Sequence, residues 1–438
     1  MEQKEKKRAK FAWVMYDWAN SAFVTTITAA VLPVYYSSVA AVNLPVHLRT
    51  AYWGYTTTIA LLLVAFMGPV MGAMADFSGA KKKFLTVFAL TGIAGSALLF
   101  LVTEGNWLLA SLFYIIGNVG FAGANVFYDS LLPHVAEEDE RDQLSSRGYA
   151  FGYLGGGILL AINLAMIMTA PDGETTALMS RISFLTVAGW WLIFTIPLWR
   201  WVKEPVRRIL KGEENFNPVQ ASFSRLAHTF GEVRKFKELF KFIIAFWLYN
   251  NGIGTIIVMA TIYGTELQFS QTTTIGTLLM VQFVAIPFAL LFGWLGKKIG
   301  TKKSILISLG VYTAIAIGGY FMYQEIHFWI LGIGVAMVQG GSQALSRSLF
   351  SRMVPKSQSA EFYSFFSVSE KVAGTVGPLM FGVVSTVMGG SRLSIVSLVV
   401  FFIIGGFLLT RVDEHEGMRV AKEEEARLVL ASALEAES

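Results

Sequence analysis

Cysteine is absent from all 438 residues. A disulfide framework and a thiolate metal site are therefore both excluded, and the redox state of the compartment leaves no mark on the chain. Histidine is scarce, five in all and none paired on one helical face, so no imidazole metal centre is expected. Charge is scarce too: Asp, Glu, Lys and Arg make up 15% of the chain, against about 25% in soluble domains. No glycine-rich loop has the pattern of a nucleotide cradle, because the glycines of 152–157 lie inside an apolar run. The expectation is a protein that is not an enzyme, with no catalytic group, no metal and no cofactor.

Apolar length is what the chain has in excess. Hydrophobic residues make up 54% and the mean hydropathy is +0.55. Twelve runs are long enough to cross a bilayer: 11–36, 52–75, 84–103, 107–132, 146–169, 183–202, 240–263, 273–295, 304–323, 329–353, 362–388 and 394–411. The expected fold is an all-α polytopic membrane protein with twelve transmembrane helices. It divides into a six-helix bundle over 1–203, an amphipathic linker over 204–239, a second bundle over 240–411 and a tail over 412–438. In the linker Phe223, Leu226, Phe230, Val233, Phe236 and Phe240 recur at helical spacing between basic residues, as in a helix lying on a membrane surface. The tail is charged and is expected to be a solvated helix. The first apolar run is too long for a signal-peptide core, so it is expected to be retained as the first helix.

A pI near 9.1 would suit a nucleic-acid partner, but the placement of the charges gives another reason for it. Nearly all Lys and Arg fall in the even-numbered loops and the two tails; the odd-numbered loops hold only Arg49, Arg181 and Arg392. Positive residues stay on the cytoplasmic side of a membrane. Both termini are expected there, in a cell (plasma or inner) membrane, with the lipid bilayer and not nucleic acid as partner. Trp53, Trp107 and Trp329 open three spans at the outer interface, as an aromatic belt does.

Polar groups inside the spans narrow the function. Asp17, Asn20, Ser21 and Thr28 lie three, four and seven residues apart in the first span, on one helical face, with Thr25 nearby. Such a stripe must meet protein or a water-filled cavity. Two readings stand: hydrogen-bonding glue between helices, or a substrate or coupling site. Asn250 and Asn251 occupy the place in the seventh span that Asn20 has in the first, and Gln343 lies in the tenth. These residues are the cavity candidates, near the midplane. Asp17 and Glu370 are the candidates for a proton-carrying group, with Lys371 beside Glu370; a fixed ion pair in the eleventh span is the alternative. In the fifth span Gly148, Gly152, Gly155, Gly156 and Gly157 are read as one close-packing side.

The halves repeat. Gly72, Asp76, Gly79 and Lys81, Lys82, Lys83 follow the second span; Gly293, Gly296, Lys297, Gly300, Lys302 and Lys303 follow the eighth. Two six-helix halves related this way are a transporter architecture. The Gly–Asp–Gly–basic pattern resembles that of the major facilitator superfamily, with Ala80 where an Arg is usual and Lys297 in place of the second Asp. The resemblance implies a gating role for Asp76. Physically, its carboxylate can dock on a helix N-terminus of the other half.

A narrower resemblance spans almost the whole chain. It rests on Tyr16–Phe23 (YDWANSAF), on Phe127 through Pro133 (FYDSLLP) with Leu144 through Gly156, and on Gln343 through Phe350 (QALSRSLF) with Pro355 and Ala360, Glu361, Phe362. Together these are similar to the vacuole-effluxer-like branch of the superfamily, whose eukaryotic members are associated with autophagy and amino-acid efflux. The resemblance implies a secondary transporter that moves a small polar metabolite such as an amino acid by alternating access, driven by protons. A membrane receptor or scaffold that no longer transports is the alternative. A channel would need rings of equivalent residues, which a pseudo-symmetric monomer does not offer.

The last expectation is a gate. Asp129 lies near the cytoplasmic end of the fourth span and Arg347 near that of the tenth, its counterpart in the repeat. Opposite charges at matching depth would close the inner mouth. Pairing of Asp129 with Arg147 inside one half is the competing arrangement.

Overall fold

The structure is a computed structural model that describes residues 2–206, 235–388 and 391–436; among them every regular element is helical. The first half comprises α1 (Glu2–Ala22), α2 (Val46–Ser78), α3 (Lys81–Leu98), α4 (Trp107–Ser130), α5 (Arg141–Met168) and α6 (Gly173–Trp201). The second comprises α7 (Lys237–Glu266), α8 (Gln271–Ile299), α9 (Thr301–Tyr320), α10 (Glu325–Arg352), α11 (Ser359–Met388) and α12 (Val399–Thr410), the last preceded by a short helix Ser391–Ser397. A terminal helix, α13 (Glu414–Ala436), follows. Eleven spans among the described residues are long and apolar enough to cross a membrane, the last formed by the short helix and α12 together over Arg392–Thr410, and α11, at 30 residues, completes twelve. Phe66, Leu108, Leu379 and Phe407 point outward from different helices, the surface a bilayer solvates.

Two large cores and one small one hold the molecule together. The first gathers residues from Ala12 to Val202 around Trp13, Phe23 and Trp191 and takes in Ala360; the second gathers residues from Phe236 to Val412 around Tyr249, Tyr312 and Phe350 and takes in Val126; the third joins Tyr153 to Val281, Ala285 and Ala336 across the halves. Small residues let helices touch within each half. A Cβ on Gly120 would strike the backbone of Gly92, so α3 and α4 pack with their glycines face to face. The halves meet where α5 lies along α8 and where α2 lies along α11.

Several expectations are corrected. The first span does not stay α-helical: Phe23–Val31 and Tyr36–Ala40 are wound as π-helix. The wider turn changes the register, so Thr28 drops out of line with the α-helical stripe above it. The glycines of α5 serve two faces. Gly148, Gly152, Gly155 and Gly156 lie against α1, whereas Gly157 lies against Gln282 and Phe283 of α8. The tail is not simply solvated. Through α13 it buries Ala421, Glu424 and Leu428 on the end of the molecule that carries the basic loops, here called the basic face. Glu425 of α13 accepts from the backbone and hydroxyl of Ser357, and Glu424 pairs with Lys235. Most of the expected linker helix lies outside the described residues.

Candidate functional site between the two halves

The inter-half hydrogen bonds gather toward the basic face, and their centre is Arg347 of α10. The residue sits where the apolar period of α10 would place a core side chain, with its side chain only 5% exposed. A buried guanidinium is stable only if its donors are met. Nη1 donates to Asp129 Oδ1 at 3.0 Å and Nη2 to Asp17 Oδ2 at 3.2 Å. Nε donates to Ser145 Oγ at 2.8 Å, and Nη2 also to the Ser145 carbonyl at 3.0 Å. Every one of these acceptors belongs to the first half. Tyr128 OH donates to Asp17 Oδ2 at 2.7 Å, so Asp17, isolated in sequence, has two partners. A Cβ on Gly148 would collide with Asp17 Oδ2 and crowd Arg347, so this close approach needs glycine. Asp129 thus pairs across the halves. Arg147, its competing partner, is exposed.

A second lock lies at the end of α2. Gly79, at φ +63°, ends that helix in the left-handed conformation and brings Lys81 back beside Asp76. Lys81 Nζ reaches Asp76 Oδ1 at 2.8 Å, both side chains almost wholly buried. Asp76 also accepts from the backbone amides of Ala360 (3.3 Å) and Glu361 (2.7 Å), the N-terminus of α11. A carboxylate there meets unpaired N–H groups and the positive end of the helix dipole. Lys81 completes its shell with the Lys356 carbonyl (3.0 Å), Ser359 Oγ (2.5 Å) and His134 Nε2 (3.0 Å).

The third lock involves residues that the sequence reading did not single out. Asp142, near the start of α5, accepts from Thr301 Oγ1 at 2.8 Å and pairs with Arg352 at 2.7 Å. Beside it Arg141 Nη1 donates to the Ser351 carbonyl at 2.6 Å, and Ser145 Oγ to that of Ala344 at 2.8 Å. Trp13, Tyr128 and Tyr149 were also missed. Their signal was present: Trp13 is one helical turn before Asp17, and Tyr128 is the neighbour of Asp129.

The remaining candidates divide. Asn20 is buried and donates to Asn125 Oδ1 of α4 at 2.6 Å; Asn250 is buried too, so neither faces lipid. Asn251 does not offer a free amide to a cavity. It is fully buried, donates to the Trp247 carbonyl and accepts from Gly377 N of α11, which ties α7 to α11. Ser21 and Thr25 lie against Gly152 and Gly156, and Thr25 donates to the Gly156 carbonyl at 3.2 Å, so both serve the α1–α5 contact. Gln343 is half-buried, one turn before Arg347. The side chains of Glu370 and Lys371 lie outside the described residues.

Two six-helix bundles, apolar outside and cross-bonded by buried charge toward one end, define a transporter of the major facilitator class. The solved proton:xylose symporter XylE, with 6-bromo-6-deoxy-D-glucose bound, has this fold: the TM-score is 0.71 over 95% of this chain and 98% of that one, at 14% identity. The fucose transporter FucP in its outward conformation matches at 0.69 over 93% and 98%. Within that class, residues 41–422 match the family described as Vacuole effluxer Atg22 like, and the chain belongs to it. A Bacillus subtilis relative, the uncharacterized MFS-type transporter YxiO, is 38% identical over 419 residues, covering 94% of this chain and 96% of its own length. Autophagy-related protein 22 of Coccidioides immitis is 24% identical, covering 90% of this chain and 76% of its own.

Proposed function

We propose that this transporter moves a small polar metabolite, amino acids first among those to test, across the membrane by alternating access coupled to protons. The observation that carries the reading is the Arg347 cross-link. A buried guanidinium of one half is held by two carboxylates of the other. Breaking a buried pair costs about 3–5 kcal/mol, enough to decide which of two states a protein occupies. In this reading Asp17, Asp129, Asp76 and Arg347 close the inner mouth, and the bundles 1–203 and 240–411 rock about the cavity as a monomer. The basic face lies in the cytoplasm, with both termini, at the cell membrane. Asp17 and Glu370, with Lys371, are assigned to proton coupling. Asn20, Asn250 and Gln343 remain the cavity candidates.

The test is uptake into proteoliposomes of a panel of radiolabelled metabolites, with and without a pH gradient. Glu370→Gln is expected to keep substrate exchange and lose pH-driven accumulation, and Asp17→Asn to lose pH-driven accumulation. Normal accumulation in both variants would remove proton coupling through these residues. A protein that binds metabolites yet moves none would support the receptor or scaffold reading.

A further inference from the structure

The surroundings of Arg347 come from the first half alone, although Arg347 comes from the second. Asp17 and Trp13 are on α1, Tyr128 and Asp129 on α4, Ser145 and Tyr149 on α5. The guanidinium carbon lies 4.7 Å from the centre of the Trp13 ring, 4.5 Å from that of Tyr149 and 5.5 Å from that of Tyr128. Rings at these distances attract cations through their negative faces. The two carboxylates each take one guanidinium nitrogen. Part of this cage is braced without Arg347: Trp13 Nε1 donates to the Tyr128 carbonyl at 3.0 Å, the two rings stack at 4.4 Å, and Tyr128 OH holds Asp17.

When the halves part at the basic face, Arg347 leaves with the second half. What stays is a pocket with two carboxylates and three aromatic rings, reached from water on the side of Asp129, which is 23% exposed. We propose that this first-half cage recognises an organic cation, a guanidinium or primary ammonium group of the transported molecule with no carboxylate on the adjoining carbon to repel Asp17 and Asp129, with Arg347 as its built-in competitor. The proposal rests on the alternating-access reading and adds a substrate class to it. The structure already holds one organic cation in the cage, the guanidinium itself. A proton would neutralise a carboxylate but make no use of the rings. A hard metal cation seeks a shell of oxygens, and rings supply none. A guanidinium or ammonium uses both kinds of wall. Re-entry of Arg347 then expels the cation, so closing the inner mouth and releasing the substrate toward the opposite face become one event.

The experiment uses the full chain with one added cysteine, Ser146→Cys. Ser146 is buried on α5 against Gly293 of α8, and no native cysteine competes for the label. The probes are agmatine, a guanidinium and an ammonium without a carboxylate, and arginine; leucine is the control. Millimolar agmatine or arginine is expected to raise the labelling rate severalfold, and leucine to leave it unchanged. Arg347→Gln removes a competitor held at high effective concentration, so agmatine is expected to bind at least about tenfold tighter than to wild type. Asp129→Asn in that background is expected to reverse the gain, and Trp13→Leu to reverse roughly tenfold of it.

Unchanged affinity in Arg347→Gln would overturn the proposal. If that variant does not fold, the wild-type titration decides: equal labelling with agmatine and leucine overturns it. If wild type carries some metabolite in proteoliposomes while agmatine and arginine neither bind nor compete, the cage assignment fails and the transport reading stands. If acidification alone opens the mouth and amines add nothing, the occupant is a proton and the proposal is overturned.

Discussion

The turn between α2 and α3 and the turn between α8 and α9 are two copies of one device. Each reverses at a glycine of positive φ, Gly79 at +63° and Gly300 at +98°. Each is basic on its far side, and each meets the N-terminal region of a helix from the opposite half. They differ in where the carboxylate comes from. In the first copy Asp76 belongs to the turn's own helix and reaches across to α11. In the second, Lys297 stands at the matching place and is exposed, and Asp142 of α5 reaches in from the other half to Thr301 and Arg352. The locking chemistry is kept at the same place in the fold while moving to a different place in the chain. The result is polarity: Asp17, Asp129 and Asp142 lie in the first half, and the arginines they meet, Arg347 and Arg352, lie in the second; Asp76, also in the first half, pairs with Lys81 beside it and reaches across only to amides.

The largest expected effect breaks the first copy. Lys81→Met leaves Asp76 buried without its cation and should cost about 3–5 kcal/mol, read as a lower melting temperature in detergent. An unchanged melting temperature would mean that the α11 amides alone satisfy Asp76.

The second copy should break more gently. Arg352 is 15% exposed and can turn to water, so Asp142→Ala should cost roughly 1–3 kcal/mol. Asp142→Leu combined with Arg352→Met should recover much of that loss, since removing both charges leaves none unpaired. A double variant worse than either single one would show that the pair does more than neutralise itself.

Positive φ, which the copies share, should cost both when a Cβ is added. A Cβ on Gly300 meets open space, so Gly300→Ala is penalised only by its backbone angles, φ +98° and ψ 145°, a region kept almost wholly to glycine, at about 1–3 kcal/mol. Gly79 is in the left-handed helical conformation, where alanine costs about 1–2 kcal/mol. A larger loss at Gly79 than at Gly300 would reveal a steric demand special to the first lock. The smallest effect sharpens the contrast: Lys297→Met, at the position matching Asp76, should change stability by less than about 0.5 kcal/mol. A loss as large as that from Lys81→Met would show that Lys297 carries a locking role after all.

The sequence by itself determined the membrane class, the twelve spans and the doubling of the fold. Bilayer thickness sets the length of an apolar run, and the sidedness of basic loops is written residue by residue, so both are local properties. It also placed Asp76 at a helix end and Asp129 level with Arg347, because repeat position translates into depth. Tertiary structure alone decided who meets whom. Asp17 and Arg347 are 330 residues apart, and Asp142 meets Arg352 only because α5 lies along α8. The same holds for the spent amide of Asn251, for the rings around Arg347 and for Glu424 docked under the basic face. Each of these depends on how far a helix is rotated and slid against its neighbour. A rotation of one residue is about 100°, which hydropathy does not record and packing alone settles.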